Sequence, residues 1–445
     1  MKIIKAGSMT GEVNLSGDKS ISHRAAIFSA LAEGETVIDN FSTSEDCSAT
    51  LNCLMELGVS IDRTGNRVVV KGAGKSGLHK PEKPLDCGNS GTTMRLLAGV
   101  LAGQNFESEL IGDESLSKRP MERIAEPLRK MGAQIETADG RPPVRISGKN
   151  PLAAIDYSLP VASAQLKSAI LLAGLNADGV TRIFDPPSKT GVSSSRNHSE
   201  LMFDYLEAAI FEEIIKDENG FVYRVSIDGN SKLAAKNIDV PSDISSSAFF
   251  VVAGSVLPGS KIVLKNVGLN PTRAAFIDEL NKIGARIEIE NIRSLNNEKV
   301  ADIRIDYSEE LLTKEEPLIF DGELIANILD EIPVLAILGT QMKGGMEVRD
   351  AGELRVKESD RISAVVDNLK RMNAEIEEFE DGFRIARSDL KGAKIDSFGD
   401  HRIAMAFAVA ALVAEGETEI INAECVNVSF PDFFEVIAKL TERNS

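Results

Sequence analysis

The segment Ser16-Gly17-Asp18-Lys19-Ser20-Ile21-Ser22-His23-Arg24 has the residue types of an anion site. A glycine turn leads into a helix start, where backbone N–H groups lack intrahelical partners. Lys19 adds a point charge and Ser20 a hydroxyl donor. Arg24 lies four residues past Ser20, on the same helical face, and a guanidinium there can fork onto a carboxylate. The spacing is not that of a Walker A loop, since G-x-x-x-x-G-K-[ST] is absent. A capped surface helix with incidental basic residues is the plainer alternative.

Other segments offer similar chemistry more weakly. Asp86-Cys87-Gly88-Asn89-Ser90-Gly91-Thr92-Thr93-Met94-Arg95 is a glycine-rich strand-to-helix turn whose amides can face an anion, or simply cap a helix. Arg119 stands immediately before Pro120, a residue suited to a helix start. Ser163 and Gln165 offer a hydroxyl and an amide at the start of an apolar helix. Capping explains the serine but not the glutamine. Ser193-Ser194-Ser195-Arg196-Asn197-His198 gathers donors and charge before another helix. Asp330 and Glu331 precede Ile332-Pro333, as dipole effects alone would favour, but an acid there also suits a general base. In Arg355-Val356-Lys357-Glu358-Ser359-Asp360-Arg361 the spacing predicts Lys357 and Arg361 on one helical face, with Glu358 beside them. Such charge runs are usually solvated helix faces. Asp400-His401-Arg402 abuts a very apolar helix, and charges so placed need partners or a ligand.

The elements that must position these residues recur along the chain. An amphipathic helix, a small-residue stop and two alternating strands around a polar turn appear five times, with stops at Gly58, Gly132, Ala208, Gly284 and Asn373. The glycines suit the left-handed residue that ends a helix. A second helix type is apolar nearly all round: Thr93 to Leu101, Lys167 to Leu175, Ser246 to Leu257, Ile332 to Leu338 and Ile403 to Val413. Such helices are buried. Units of this kind predict domains with helices inside and sheet outside, with a boundary near Ile238-Asp239-Val240-Pro241. The first residues, to about Gly17, are expected to return to the C-terminal half.

Composition narrows the function classes. The chain has 445 residues, 43% of them hydrophobic, and a formal net charge of −18. That length favours two or three domains with an aliphatic core, since tryptophan is absent. An acidic surface repels nucleic acid and anionic membrane, so neither is expected as a partner. Cys47, Cys53, Cys87 and Cys425 include no CxxC pair, and only four histidines exist, so no metal site is expected. The N-terminus lacks a signal-peptide core, and the longest apolar run, Ile403 to Ala414, falls short of the ~20 residues of a membrane span. A cytoplasmic protein is expected.

Taken in order, the segments resemble the signature loops of the 5-enolpyruvylshikimate-3-phosphate synthases over nearly the whole chain. The matches are Gly17-Asp18-Lys19-Ser20-Ile21-Ser22-His23-Arg24, Gly88-Asn89-Ser90-Gly91-Thr92, Lys118-Arg119-Pro120, Ser163-Ala164-Gln165, Ser195-Arg196, Asp330-Glu331-Ile332-Pro333, Arg355 to Arg361 and Asp400-His401-Arg402. The resemblance implies an α/β fold of two similar inside-out domains. Each would have three βαβαββ-type units, with the active site in the interdomain cleft. The domains would be residues 18–240, and residues 1–17 with 241–445. The resemblance further implies transfer of the enolpyruvyl group of phosphoenolpyruvate to the 5-hydroxyl of shikimate 3-phosphate, by a monomer without a cofactor. Lys19, Ser20, Arg24, Ser163, Ala164, Gln165, Ser195, Asp330 and Lys357 would hold shikimate 3-phosphate. Lys19, Gly91, Arg119, Gln165, Arg361 and Arg402 would hold phosphoenolpyruvate. Glu358 would be the acid and Asp330 the base, with Lys19 assisting. Some positions depart from the family pattern. Ser16 replaces a frequent Pro, Ala164 a Ser, Glu353 an Asn and Val428 a Lys. Two alternatives stand beside this reading. One is UDP-N-acetylglucosamine enolpyruvyl transferase, which usually has Lys-Asn where this chain has Lys19-Ser20. The other is a non-catalytic anion-binding repeat protein.

Overall fold

The computed structural model describes residues 1–189, 195–218 and 220–441. Its construction follows from six helices that are buried on every side. These are Lys19–Leu31, Gly91–Ala102, Ala164–Gly174, Ile244–Val256, Ile332–Gln341 and His401–Val413. Five begin on a side-chain cap, from Asp18, Ser90, Ser163, Asp243 and Asp400. Each cap satisfies an amide that the first turn leaves without an intrahelical partner. The sixth begins with a proline in its first turn, where no amide is lost. Close helix packing relies on small residues. A Cβ added at Gly99 would lie 2.2 Å from the Ala169 carbonyl oxygen, so the helices 91–102 and 164–174 meet through bare backbone.

Five four-stranded sheets repeat one strand pattern. A short strand runs parallel to the next, which is antiparallel to a third, and a fourth closes the edge by a hairpin. Leu85–Asp86, Glu107–Ile111, Arg141–Ser147 and Gln134–Ala138 form one such sheet. Four others share the order. The C-terminal sheet has three strands, with Lys394–Asp396 parallel to Glu417–Ile421 and the N-terminal Lys2–Ile4 antiparallel to it.

The chain divides into two compact units. A contiguous unit comprises residues 17–240 with 294–298. A composite unit comprises residues 1–16, 241–293 and 299–445. Each has its own aliphatic core. The N-terminal arm belongs to the composite unit. There Thr10–Asn14 pairs parallel with Lys261–Gly268. In the contiguous unit the strand before the crossing, Ile238–Asp239, pairs parallel with Ile38–Asp39.

The helix stops are as the sequence indicates at Gly58, Gly132, Gly284 and Asn373, all with positive φ. The fifth is displaced. The left-handed residue is Glu207, with φ 65°, and not Ala208. Leu206 ends that helix, and Ala208 already points into the core. The segment 355–361 also differs from its predicted continuous helix. A 3₁₀ turn covers Gly352–Val356, the chain then extends, and a new helix Arg361–Arg371 starts on a cap from Asp360. Lys357 and Arg361 therefore do not share a helix face. Asp360 wins because its carboxylate accepts the Ser363 amide. No helix among the described residues is long and apolar enough to cross a membrane.

Candidate active site

In the contiguous unit the predicted residues gather at the starts of three buried helices. Lys19 opens the first, and its ammonium donates to Asp46 at 2.8 Å. Asp46 is in turn tied to the second helix, because its carbonyl accepts Thr93 Oγ1. Gly91 opens that helix, and a methyl group built there would come 3.0 Å from Arg95 Nη1 and 3.4 Å from Arg119 Nη1. The space beside Gly91 is thus flanked by two guanidiniums. Arg119 is itself aimed by Asn89 Oδ1 at 2.7 Å and Ser115 Oγ at 3.2 Å. Gln165, in the first turn of the third helix, accepts from Arg95 and donates its amide to Thr92 Oγ1 at 2.9 Å. Arg95 thereby fixes which end of the amide points where.

Arg24 is fully buried, yet its hydrogen-bond acceptors are neutral. It donates to Ser199 Oγ at 2.8 Å, Ser168 Oγ at 2.8 Å and the Ser20 carbonyl at 2.9 Å. Burial brings its pKa down to about 10, against partial support from Glu200 and Asp18. A guanidinium desolvated in this way gains from an anionic ligand. Ser168 also donates to the Ala164 carbonyl at 2.6 Å, so Arg24 is coupled to the helix start that carries Ser163 and Ala164. Ser163 caps that helix through the Leu166 amide. Ser195 lies just before the helix His198–Tyr205 and donates to Asp185. Ser193 and Ser194 lie outside the described residues.

The composite unit holds the remaining residues around one guanidinium. Arg361 is 2% exposed and touches three carboxylates. Its Nε donates to Asp400 at 2.8 Å, Nη2 to Glu358 at 2.6 Å and Nη1 to Asp330 at 3.3 Å. Asp330 also faces Arg402 Nε at 3.5 Å, and its carbonyl accepts Arg402 Nη1 at 3.2 Å. Asp400 has a second task. It accepts the Arg402 amide at 2.8 Å and so starts the helix that presents Arg402. Lys357 pairs with Glu353 at 3.4 Å. Asp330, Glu358, Arg361 and Arg402 are thus one cluster, with acids and cations in direct contact, and Lys357 lies within the electrostatic reach of Asp330, Glu358 and Arg361.

A set of acids held against guanidiniums suits proton transfer next to anionic groups. Residues beyond the predicted set contact its members: Asp46, Arg95, Asp185 and Asp400. Only Asp400 carried a sequence signal, as a charge abutting a buried helix.

Comparison with known proteins decides the family. The family model of EPSP synthase (3-phosphoshikimate 1-carboxyvinyltransferase) matches residues 3–437. The chain belongs to the EPSP synthase family. A 3-phosphoshikimate 1-carboxyvinyltransferase of Bacillus licheniformis is 47% identical over the full length of both chains. That of Bacillus subtilis is 44% identical, again over the full length of both. A solved EPSP synthase structure from Acinetobacter baumannii superposes with a TM-score of 0.84 at 41% identity, covering 99% of this chain and 98% of that one. The mixed α/β architecture is accordingly that of EPSP synthases, and the chain is a transferase by family.

Proposed function

We propose that the protein transfers the 1-carboxyvinyl group of phosphoenolpyruvate to the 5-hydroxyl of shikimate 3-phosphate, releasing phosphate. The observation that carries this reading is the Asp330–Arg361–Glu358 contact, two acids on one buried guanidinium. Addition to an enol phosphate needs a proton at the methylene carbon and a base at the attacking hydroxyl. Glu358 supplies the first and Asp330 the second, with Lys19 assisting. Arg361 and Arg402 hold the carboxylate and phosphate of phosphoenolpyruvate together with Lys19, Gly91, Arg119 and Gln165. Shikimate 3-phosphate is held by Lys19, Ser20, Arg24, Ser163, the Ala164 amide, Gln165, Ser195, Asp330 and Lys357. Phosphate then leaves by C–O cleavage as the methyl group formed in the addition gives up a proton, which restores the vinyl double bond, so the protein's own acid and base suffice for the proton transfers. The reading includes a monomeric cytoplasmic enzyme. Four cysteines without a disulfide are consistent with a reducing compartment.

The test is direct. Purified protein given phosphoenolpyruvate and shikimate 3-phosphate should release inorganic phosphate. Release with UDP-N-acetylglucosamine instead would assign the sister reaction, and release with neither would leave only anion binding.

A pH prediction arises from Lys357. Its side chain is 27% exposed, but desolvation of the ammonium is the largest influence and lowers its pKa from the ordinary 10.5, against support from Glu353 and Asp330. Binding of shikimate 3-phosphate needs the charged form. The KM for that substrate should therefore rise as pH climbs through the lowered value, below the range of a free lysine. Stability should move the other way. Between the folded value and 10.5 the unfolded chain binds more protons, so this residue's contribution favours folding increasingly as pH rises. Lys357→Met should abolish both slopes. An alkaline rise in KM that persists in this variant would assign it to another group.

A further inference from the structure

A buried ion cluster in the contiguous unit plays no part in the reaction as assigned above. The Lys167 ammonium, 0% exposed, lies 2.6 Å from Glu200 and 3.5 Å from Asp185, which are themselves 0% and 1% exposed. It also stands over the Tyr223 ring, 5.1 Å from the centroid. One cation thus serves two carboxylates. The second carboxylate has a further partner. Ser195 Oγ, itself buried, sits 3.0 Å from both oxygens of Asp185.

A serine hydroxyl has one proton and two lone pairs. A carboxylate has only lone pairs, so in this contact Ser195 is the donor. A phosphate monoester is near its dianion at neutral pH and likewise offers only lone pairs. Both cannot receive the same proton. We propose that Asp185 sets how tightly Ser195 holds a phosphate, by competing for the single hydroxyl proton that the phosphate needs. The inference rests on the assignment of Ser195 to the 3-phosphate of shikimate 3-phosphate.

The arrangement has a chemical purpose. The 3-phosphate is unchanged by the reaction and is carried by substrate and product alike. Extra grip on it strengthens both equally, which does not accelerate the chemical step and slows release. Asp185 restrains that grip, and Lys167 makes a buried carboxylate tolerable at this place.

The test is a double-mutant cycle on the full chain with steady-state kinetics. In Asp185→Asn the amide can donate to Ser195 Oγ and return its proton to the ligand, while Lys167 and Glu200 remain a balanced pair. The KM for shikimate 3-phosphate should fall by about 3- to 10-fold, the scale of one ordinary net hydrogen bond, and by more than any change in the KM for phosphoenolpyruvate. Ser195→Ala should raise the KM for shikimate 3-phosphate, and in that background Asp185→Asn should lose most of its effect. A higher KM in Asp185→Asn would overturn the proposal. So would an equal effect in both backgrounds, which would mean simple charge repulsion. Should Ser195→Ala alone leave the KM unchanged, the assignment of Ser195 itself fails and the proposal falls with it. If the asparagine variant does not fold, Asp185→Ala removes the same acceptor and must give the same sign.

Discussion

Asp330→Ala is expected to lower turnover by about 10²- to 10⁴-fold while its unfolding free energy stays within about 1 kcal/mol of the parent's. The first expectation comes from chemistry. The Asp330 carboxylate is the base in the proposed reaction, and losing a positioned base typically costs ~10²–10⁴ in rate. The second comes from placement. Asp330 is about one-fifth exposed and lies in the turn before Ile332, so its removal opens no cavity in the core. Arg361 keeps Asp400 and Glu358 as partners, and Arg402, which loses the carboxylate, keeps the backbone carbonyl of residue 330 as an acceptor. With one acid gone, Arg361 and Arg402 are less neutralised, so phosphoenolpyruvate should bind at least as well. Single-turnover phosphate release and urea denaturation measure the two quantities separately. Retained turnover would remove Asp330 from the mechanism. Lost stability would make it structural instead.

Arg361→Met should fail on both counts. Its guanidinium is the centre of a cluster of three carboxylates, of which Asp400 is wholly buried. Removing the cation leaves like charges together with part of the cluster desolvated. Breaking a buried pair from one side costs about 3–5 kcal/mol, largely because the remaining charge has no counterpart. Turnover should be undetectable, since an acid, a base and a substrate anion all depend on this group. Arg361→Lys separates the two roles. An ammonium restores charge but cannot fork onto three acids at once, so it should recover part of the stability and little of the rate. Denaturation midpoints of both variants decide the matter. A methionine variant as stable as the parent would show that the cluster is not held by Arg361.

Much of this was legible in the sequence because periodicity and punctuation are local signals. Five of the six buried helices are visible as runs of apolar residues. The sixth, Lys19–Leu31, is masked by Ser22, His23, Arg24 and Ser29, all of them polar and buried. His23 is tolerated because its Nδ1 meets Thr50 Oγ1 at 2.7 Å, and burial pushes its pKa well below the usual value, which favours the neutral ring. The helix stop at Glu207 was missed because a glutamate carries no preference for positive φ; tertiary packing of Ala208 imposes it. Lys167 was read as the first residue of an apolar run. Its partners Asp185 and Glu200 are distant in sequence, and no local pattern pairs them. Arg95 is hidden likewise, since its role is to orient Gln165, seventy residues away. Residues that touch a ligand repeat family signatures, whereas residues that aim them are set by packing alone.

The strand Lys2–Ile4 pairs with Glu417–Glu419, and Thr10–Asn14 lies beside Lys261–Lys265. During synthesis on the ribosome, the arm emerges first but its outermost partner is made near the end. The contiguous unit needs only residues 17–240 and the five-residue hairpin tip 294–298. By the time that tip is made, Lys261–Lys265 is already available to Thr10–Asn14, so only Lys2–Ile4 still waits for its partner, with open edges. Translation speed, and whatever shields nascent chains, thus bears on the folding of this protein through Lys2–Ile4.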